Sequence, residues 1–347
     1  MNPVARYCEK QIMIWAETIK WCGDFARLID QRKLPQEEVY VEIRTALDMC
    51  NAIKNMTIRG APAIGVAAAY GIALAALNCK NKESLEKKID LIESARPTAQ
   101  NLFYAVRRMR KLLKGEDVVA PLFVEEALKI HEEDKKLTML LGENGSKLIK
   151  DNSSYMTICN AGALATGGIG TALAVFYKAR EEGKEITVFV PETRPFLQGA
   201  RLTAWELKKN GIKSILIVDS AASHILKTEN ISGIFTGADR IAKNGDTANK
   251  IGTYSLSLSA KENDVPFFVV APSTTFDLEL KDGKDIPIEE RAKEEVTEFM
   301  GLPTAPINTD VKNPAFDVTP HRFISGIVTE KGIIYPPFEK NMSVIEC

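Results

Sequence analysis

Tyr155-Met156-Thr157-Ile158-Cys159-Asn160-Ala161-Gly162, running on through Thr166-Gly167-Gly168-Ile169-Gly170-Thr171, is the stretch that decides the fold class. A short apolar strand pattern meets a polar, glycine-bearing turn, and an apolar helical run follows. The spacing predicts a strand over 155–159 and a helix over 170–180. Four further strand-like runs lie at 186–190, 214–219, 233–236 and 266–270, with helical runs at 199–208, 221–226 and 248–261 between them. Apolar strands alternating with helices imply a parallel sheet covered on both faces, a doubly wound, Rossmann-like α/β domain.

Upstream the pattern differs. Short apolar runs at 12–15 and 26–29 suggest a small β element, and helical periodicity then covers 46–56, 62–77, 84–93 and 98–113. In the last of these, Leu102, Ala105, Val106, Met109 and Leu113 share one face. Residues 124–149 read as one long helix with Ala127, Leu128, Ile130, Leu137, Leu140, Leu141 and Leu148 as its apolar stripe. The division expected is an N-terminal mixed β/helical domain over 1–122 and a Rossmann-like catalytic domain over 123–347, entered through that long helix. Near the C-terminus, Thr319 and Pro320 resemble the cap and first turn of a further helix.

Composition narrows the function classes. The 347 residues are 45% hydrophobic and 26% charged, enough to bury a core without disulfides or structural metal. A net charge of -1 offers no electrostatic case for nucleic acid or an anionic membrane. Cys8, Cys22, Cys50, Cys79, Cys159 and Cys347 are scattered, with no Cys-x-x-Cys pair, which fits a reducing, cytoplasmic setting. Arg6, Glu9 and Lys10 interrupt the N-terminus where a secretion signal would need an apolar run. The apolar stretch from Ile64 to Leu77 is too short to span a bilayer and reads as a core helix. His131, on a charged helix face, is expected in solvent; with His224 and His321 it makes no metal-binding pattern, so no metal is expected.

In an open parallel sheet, ligands bind beyond the carboxyl ends of the strands. That rule gathers Cys159, Glu192, Asp219 and Asp239 on one rim. Cys159 is either a small residue closing a buried strand or a thiol that nearby N–H groups and cations favour as thiolate. The glycines after it break the Gly-x-Gly-x-x-Gly dinucleotide spacing at Leu173, although Glu192 could serve as a ribose-binding acid. Asp239, in Thr236-Gly237-Ala238-Asp239-Arg240, is either a carboxyl kept neutral by apolar neighbours or the partner of Arg240. Arg59-Gly60-Ala61-Pro62 leads into a helix, and a second helix is expected to start near Asp246 with Asn249 and Lys250 in its first turn. A cation at a helix N-terminus opposes the macrodipole unless an anion joins it, so Arg59 and Lys250 are candidate phosphate ligands. A solvated surface charge is the alternative for each.

Taken together, these motifs resemble a known family. Thr57-Ile58-Arg59-Gly60-Ala61-Pro62-Ala63-Ile64-Gly65, Cys159-Asn160-Ala161-Gly162-Ala163-Leu164-Ala165-Thr166 and Glu192-Thr193-Arg194-Pro195-Phe196-Leu197-Gln198-Gly199-Ala200-Arg201-Leu202 are similar to signatures of methylthioribose-1-phosphate isomerases. Gly237-Ala238-Asp239-Arg240, Asn244-Gly245-Asp246, Asn249-Lys250-Ile251-Gly252-Thr253 and Asn313-Pro314-Ala315-Phe316-Asp317 continue the series, so the resemblance covers about residues 15–334. Ile169 departs from it where an aromatic is common, which would alter pocket shape. The superfamily also holds ribose-1,5-bisphosphate and 5-deoxyribose-1-phosphate isomerases and regulatory subunits of a translation initiation factor. The resemblance implies Cys159 and Asp239 as catalytic thiol and acid. It implies Arg59, Gly60, Ala61, Arg96, Gln198, Asn249 and Lys250 as substrate contacts, no cofactor, a small sugar-phosphate substrate and a homodimer.

Overall fold

A computed structural model describes residues 15–96, 100–115, 117–299 and 301–342. The chain opens on an antiparallel three-stranded sheet, β1 (Ile19–Trp21), β2 (Ala26–Ile29) and β3 (Tyr40–Ile43), in that order. The second of these is the strand expected at 26–29. The run at 12–15 is not its partner: Trp15 is not in a strand, and residues 12–14 lie outside the described residues.

Four helices follow: α1 (Ala46–Lys54), α2 (Ala61–Leu77), α3 (Lys82–Glu93) and α4 (Gln100–Arg110). Thr45 opens α1 with a capping box, its hydroxyl accepting from Asp48 N while the Asp48 carboxylate accepts from Thr45 N. Alanine and glycine dominate α2, and it is buried on all sides from Ala63 to Ala76. Small residues let its neighbours approach: a Cβ at Gly65 would sit 2.9 Å from Asn101 O. The long helix α5 (Ala120–Ser146) starts a turn earlier than its periodicity suggested. Phe123, Ala127 and Ile130 enter the N-terminal core, whereas Leu141 packs under the main sheet. Leu128 and Leu140, read as stripe residues, are exposed.

Strands and helices then alternate: β4 (Ser153–Met156), α6 (Ala172–Glu181), β5 (Ile186–Pro191), α7 (Ala204–Lys209), β6 (Lys213–Ile217), α8 (Ala222–Thr228) and β7 (Ile231–Thr236). After β7 come two strands of a side sheet, β8 (Arg240–Ala242) and β9 (Thr247–Lys250), and then α9 (Thr253–Glu262) and β10 (Phe267–Val270). The remaining chain holds β11 (Phe276–Asp277), α10 (Glu294–Thr297), the hairpin β12 (Glu298–Phe299) and β13 (Leu302–Pro303), β14 (Phe316–Thr319), β15 (Gly326–Thr329) and β16 (Gly332–Ile334). Thr319 therefore ends a strand, and only a single 3₁₀ turn follows at His321–Phe323 in place of the expected helix.

The main sheet runs β16-β15-β10-β7-β4-β5-β6 and is parallel except for the edge strand β16. The chain builds outward from β4 to β6 on one side and from β7 to β15 on the other. Its topological switch therefore lies between β4 and β7, where such sheets open a crevice at their carboxyl ends. A side sheet, β11-β8-β9-β14, stands beside that crevice. Among the described residues no helix is long and apolar enough to cross a membrane.

His131 is not in solvent. It is 4% exposed, its Nδ1 lies 2.6 Å from the Tyr70 hydroxyl and its Nε2 2.8 Å from Gly167 O. The charged residues around it on α5 hid this, because what buries it is Tyr70 of α2 and the glycine-rich turn around Gly167, both distant along the chain. Burial pushes its pKa down.

Phe235 on β7 is fully buried and meets the rings of Tyr155, Phe176 and Phe268. Replacing Phe235 with Ala should cost about 3–5 kcal/mol through the cavity left between sheet and helices. Urea unfolding midpoints read this; a shift equivalent to under 1 kcal/mol would mean the sheet core is not packed as described.

Candidate active site

A cavity of about 150 Å³ lies at the carboxyl ends of β4 and β7, between the helical N-terminal part and the side sheet. Arg59, Gly60, Ala61, Arg96, Cys159, Gln198, Asp239, Asn249 and Lys250 all line it. Glu192 and Asp219, placed on the same rim by strand order, are not among its lining residues. The Asp219 carboxylate instead accepts from Thr193 N and Arg194 N, both at 2.7 Å, and so holds the loop after β5. Ile169 also lies off the cavity wall.

Cys159 sits three residues beyond β4 rather than at its end. Its φ is 66°, a left-handed conformation that costs about 1–3 kcal/mol and needs the surroundings to hold it. Two threonines do so: Cys159 N donates to Thr193 Oγ1 at 3.0 Å, and Thr203 Oγ1 donates to Cys159 O at 2.6 Å. The kink turns the chain out of the sheet at the crevice. Gln198 Nε2 donates to Cys159 Sγ at 3.4 Å, while Gln198 Oε1 is buried with no hydrogen-bond partner among the described residues.

Asp239 follows β7, its N–H donating to Ala248 O at 2.9 Å. Desolvation raises its carboxyl pKa above the ordinary value, and the charges of Lys250, Arg59 and Arg96 oppose that rise. Arg240, the alternative partner in the sequence, faces Asp277 at 3.4 Å.

Lys250 and Asn249 are not in a helix. They belong to β9, paired antiparallel with β14, so that Lys250 faces Phe316 and Asn249 faces Asp317. The helix starts only at Thr253, after Gly252 in a left-handed turn, and Asp317 caps it by accepting from Gly252 N and Tyr254 N. Lys250 is therefore not placed against a helix macrodipole, although it still reaches the cavity. Its ammonium lies 4.3 Å from the Phe316 ring centroid, and burial lowers its pKa against the pull of Cys159 and Asp239. The Asn249 amide donates to Thr236 Oγ1 and Thr253 Oγ1, tying β9 to β7 and α9.

Arg59 does precede a helix: Gly60 is the N-cap of α2, at φ 92°. A Cβ on Gly60 would lie 2.5 Å from Ala165 Cα, so only glycine lets this helix start meet the turn after Cys159. Arg59 NH1 donates to Asn160 Oδ1 at 2.5 Å and NH2 to Asn160 O at 3.0 Å. Arg96 stands 4.0 Å from Glu289, and desolvation lowers its pKa. Arg291 lines the cavity as well, bound to Glu295 and to Glu289. Asn160 lies in the motif that begins at Cys159 but carries no role in the sequence reading, and Glu289 and Arg291 escaped that reading because nothing in their local pattern separates them from ordinary polar loop residues.

Five cations, Arg59, Arg96, Arg240, Lys250 and Arg291, and two carboxylates, Asp239 and Glu289, thus face one small cavity. Such a balance suits a dianionic ester better than a neutral ligand. Among the described residues no group of three His, Cys, Asp or Glu side chains is placed to hold a metal ion.

A Rossmann-type α/β protein with a thiol, a desolvated carboxyl and a wall of cationic side chains at its switch point is the class that fold and site define. The chain belongs to the initiation factor 2 subunit family, whose family model matches residues 57–336. It is 50% identical to the methylthioribose-1-phosphate isomerase of Acetivibrio thermocellus over 335 residues, covering 93% of this chain and 98% of that one. The Thermotoga neapolitana protein of the same name is 51% identical, over 95% of this chain and 98% of its own. Among solved structures, the 5-methylthioribose 1-phosphate isomerase of Pyrococcus horikoshii OT3 superimposes with a TM-score of 0.90 at 41% identity, covering 98% of both chains. The eIF-2B subunit delta structure from A. fulgidus superimposes with a TM-score of 0.87 at 44% identity, over 95% of this chain and 99% of that one.

Replacing Gly60 with Ala should force the start of α2 away from Ala165. Weaker binding of inorganic phosphate and a lower melting temperature, from strain of about 1–3 kcal/mol, are the expected results. Unchanged calorimetric affinity and melting temperature would show that this close approach is unimportant.

Proposed function

We infer that the chain is an aldose–ketose isomerase that converts 5-methylthioribose 1-phosphate into 5-methylthioribulose 1-phosphate, a step of methionine salvage. The observation that carries this reading is the placement of Cys159 and Asp239 on one cavity wall with Arg59, Arg96 and Lys250. The names of near-full-length relatives at about half identity support the choice of substrate. A cytoplasmic enzyme acting as a homodimer is the setting proposed; free thiols at Cys22, Cys50, Cys79 and Cys159 agree with a reducing compartment.

A sugar esterified at C1 cannot open its ring by simple hemiacetal chemistry. Opening has to be coupled to the loss of hydrogen from C2. Cys159 removes the C2 proton, the C2–H electrons form the C1–C2 double bond, and the C1–ring oxygen bond breaks. Asp239, whose pKa desolvation raises, delivers a proton to the departing ring oxygen in this scheme. The enol then collapses: the C2 hydroxyl gives its proton to the Asp239 carboxylate, restoring the acid, a carbonyl forms at C2, and the C1–C2 electrons take the proton back from Cys159 at C1. Arg59, Arg96 and Lys250 hold the phosphate in this scheme, helped by backbone N–H groups at Gly60 and Ala61 where α2 begins. Gln198, whose carbonyl oxygen has no partner among the described residues, is suited to accept from a sugar hydroxyl. A hydride shift from C2 to C1 in the same dry cavity is the competing route.

Turnover of 5-methylthioribose 1-phosphate, ribose 1,5-bisphosphate and 5-deoxyribose 1-phosphate, measured side by side, tests the assignment. The first should be the preferred substrate. Cys159→Ser and Asp239→Asn should each lower kcat by about 10²–10⁴-fold. No turnover of any of the three would favour the regulatory-subunit reading. Product formed in deuterium oxide should carry deuterium at C1; full retention of the C2 hydrogen there would select the hydride route.

The pH profile provides a further check. An acid that must be protonated is active below its pKa, so activity should fall as pH rises through the elevated value of Asp239. Lys250 is the strongest charge opposing that elevation. Lys250→Met should therefore move the alkaline limb of kcat to higher pH, besides weakening phosphate binding; a limb that stays in place would remove Asp239 from the role of acid.

A further inference from the structure

Among the described residues, Asp30, Asp134 and Glu206 are buried acids that take no part in the scheme above, and Glu206 stands nearest its arginine wall through Asn160. Glu206 on α7 is 1% exposed, well away from solvent and not among the residues lining the cavity. Desolvation raises its pKa, yet every hydrogen bond it makes is one it accepts. Asn160 Nδ2 donates to Glu206 Oε1 at 2.6 Å, and Oε2 accepts from the Tyr177 hydroxyl at 3.1 Å and from Leu164 N at 3.4 Å. Gly162 makes room for it, since a Cβ there would lie 2.4 Å from Glu206 Oε2.

We propose that Glu206 is a positioning residue for Arg59, acting through Asn160. An amide has one acceptor and one donor end, and which end faces the arginine depends on what claims the other. With Glu206 accepting from Nδ2, Oδ1 must point to Arg59, where it accepts from NH1 while Asn160 O accepts from NH2. The guanidinium is thereby held at two nitrogens by neutral oxygens, which fix its direction without cancelling its charge. A carboxylate directly on Arg59 would fix it equally well but would compete with the anionic substrate. Setting the carboxylate one residue further back keeps the orientation and spares the charge. In the block Cys159-Asn160-Ala161-Gly162, the thiol, the relay amide and the space for Glu206 are then consecutive requirements of one site.

The inference rests on the reading that Arg59 grips a phosphate, so the test uses inorganic phosphate binding to the whole protein by calorimetry, independent of turnover. Glu206→Leu and Asn160→Leu should each weaken phosphate binding by about tenfold or more, the scale of a hydrogen bond to a charged group. Combined with Arg59→Met, neither should add much further loss, because the relay acts only through that arginine. Glu206→Gln, whose amide oxygen can still accept from Asn160, should stay within about threefold of the parent. Should Glu206→Leu not fold, the Asn160→Leu and Glu206→Gln arms carry the same comparison. A loss in Glu206→Leu that simply multiplies with that of Arg59→Met would mark a structural acid and overturn the relay, as would phosphate binding unaffected by Asn160→Leu. Failure of the isomerase assay with this binding pattern intact would overturn the substrate assignment alone.

Discussion

Positive charge kept out of water is the constraint around which this structure is arranged. Arg59, Arg96, Arg240, Lys250 and Arg291 converge on one cavity, and burial works against the charge of Arg96 and Lys250 in particular. The five are not compensated alike. Arg291 is bound to Glu295 and Glu289, whereas Arg59 is held by the neutral oxygens of Asn160 and Lys250 rests against the face of Phe316. A carboxylate partner cancels a cation, while an amide or an aromatic face only steadies it. Cations buried without a carboxylate partner cost folding free energy, and an anionic ligand of the kind proposed would offset that cost.

The same constraint explains how closely the two halves of the chain are joined. The cavity needs Arg59 and Arg96 from the helical part and Cys159, Asp239 and Lys250 from the sheet part. Gly60 lets the start of α2 touch Ala165, and the turn around Ala165 is gripped from the N-terminal element by Thr18 donating to Ala163 O and Gln31 donating to Leu164 O. Arg201 returns the grip, donating to Gln31 O and Leu34 O. A left-handed Cys159 beneath this turn is tolerated because Thr193 and Thr203 bond both sides of its peptide. Backbone strain at the thiol and the tight seam between the halves are one arrangement.

Membership of a family that includes translation factor structures as well as isomerases shows that fold similarity alone does not select the activity. What bears on activity is local: whether a thiol, a desolvated carboxyl and unneutralised cations share one cavity. In this chain they do.

Strand–helix alternation from residue 153 onward was legible in the amino-acid order because each element buries an apolar face with its own period, and a parallel sheet then dictates that ligands meet its carboxyl ends. Cys159, Asp239 and the helix start at Arg59 could be singled out on those grounds. The helix expected around Lys250 was misread because its residues carry no period, and only pairing with β14, distant along the chain, makes them a strand. The burial of His131, the placement of Arg291 and the link from Glu206 through Asn160 to Arg59 were beyond any local pattern. Periodicity records what an element does with its own faces, whereas the partner of a buried charge is chosen by whichever segment the fold brings alongside it.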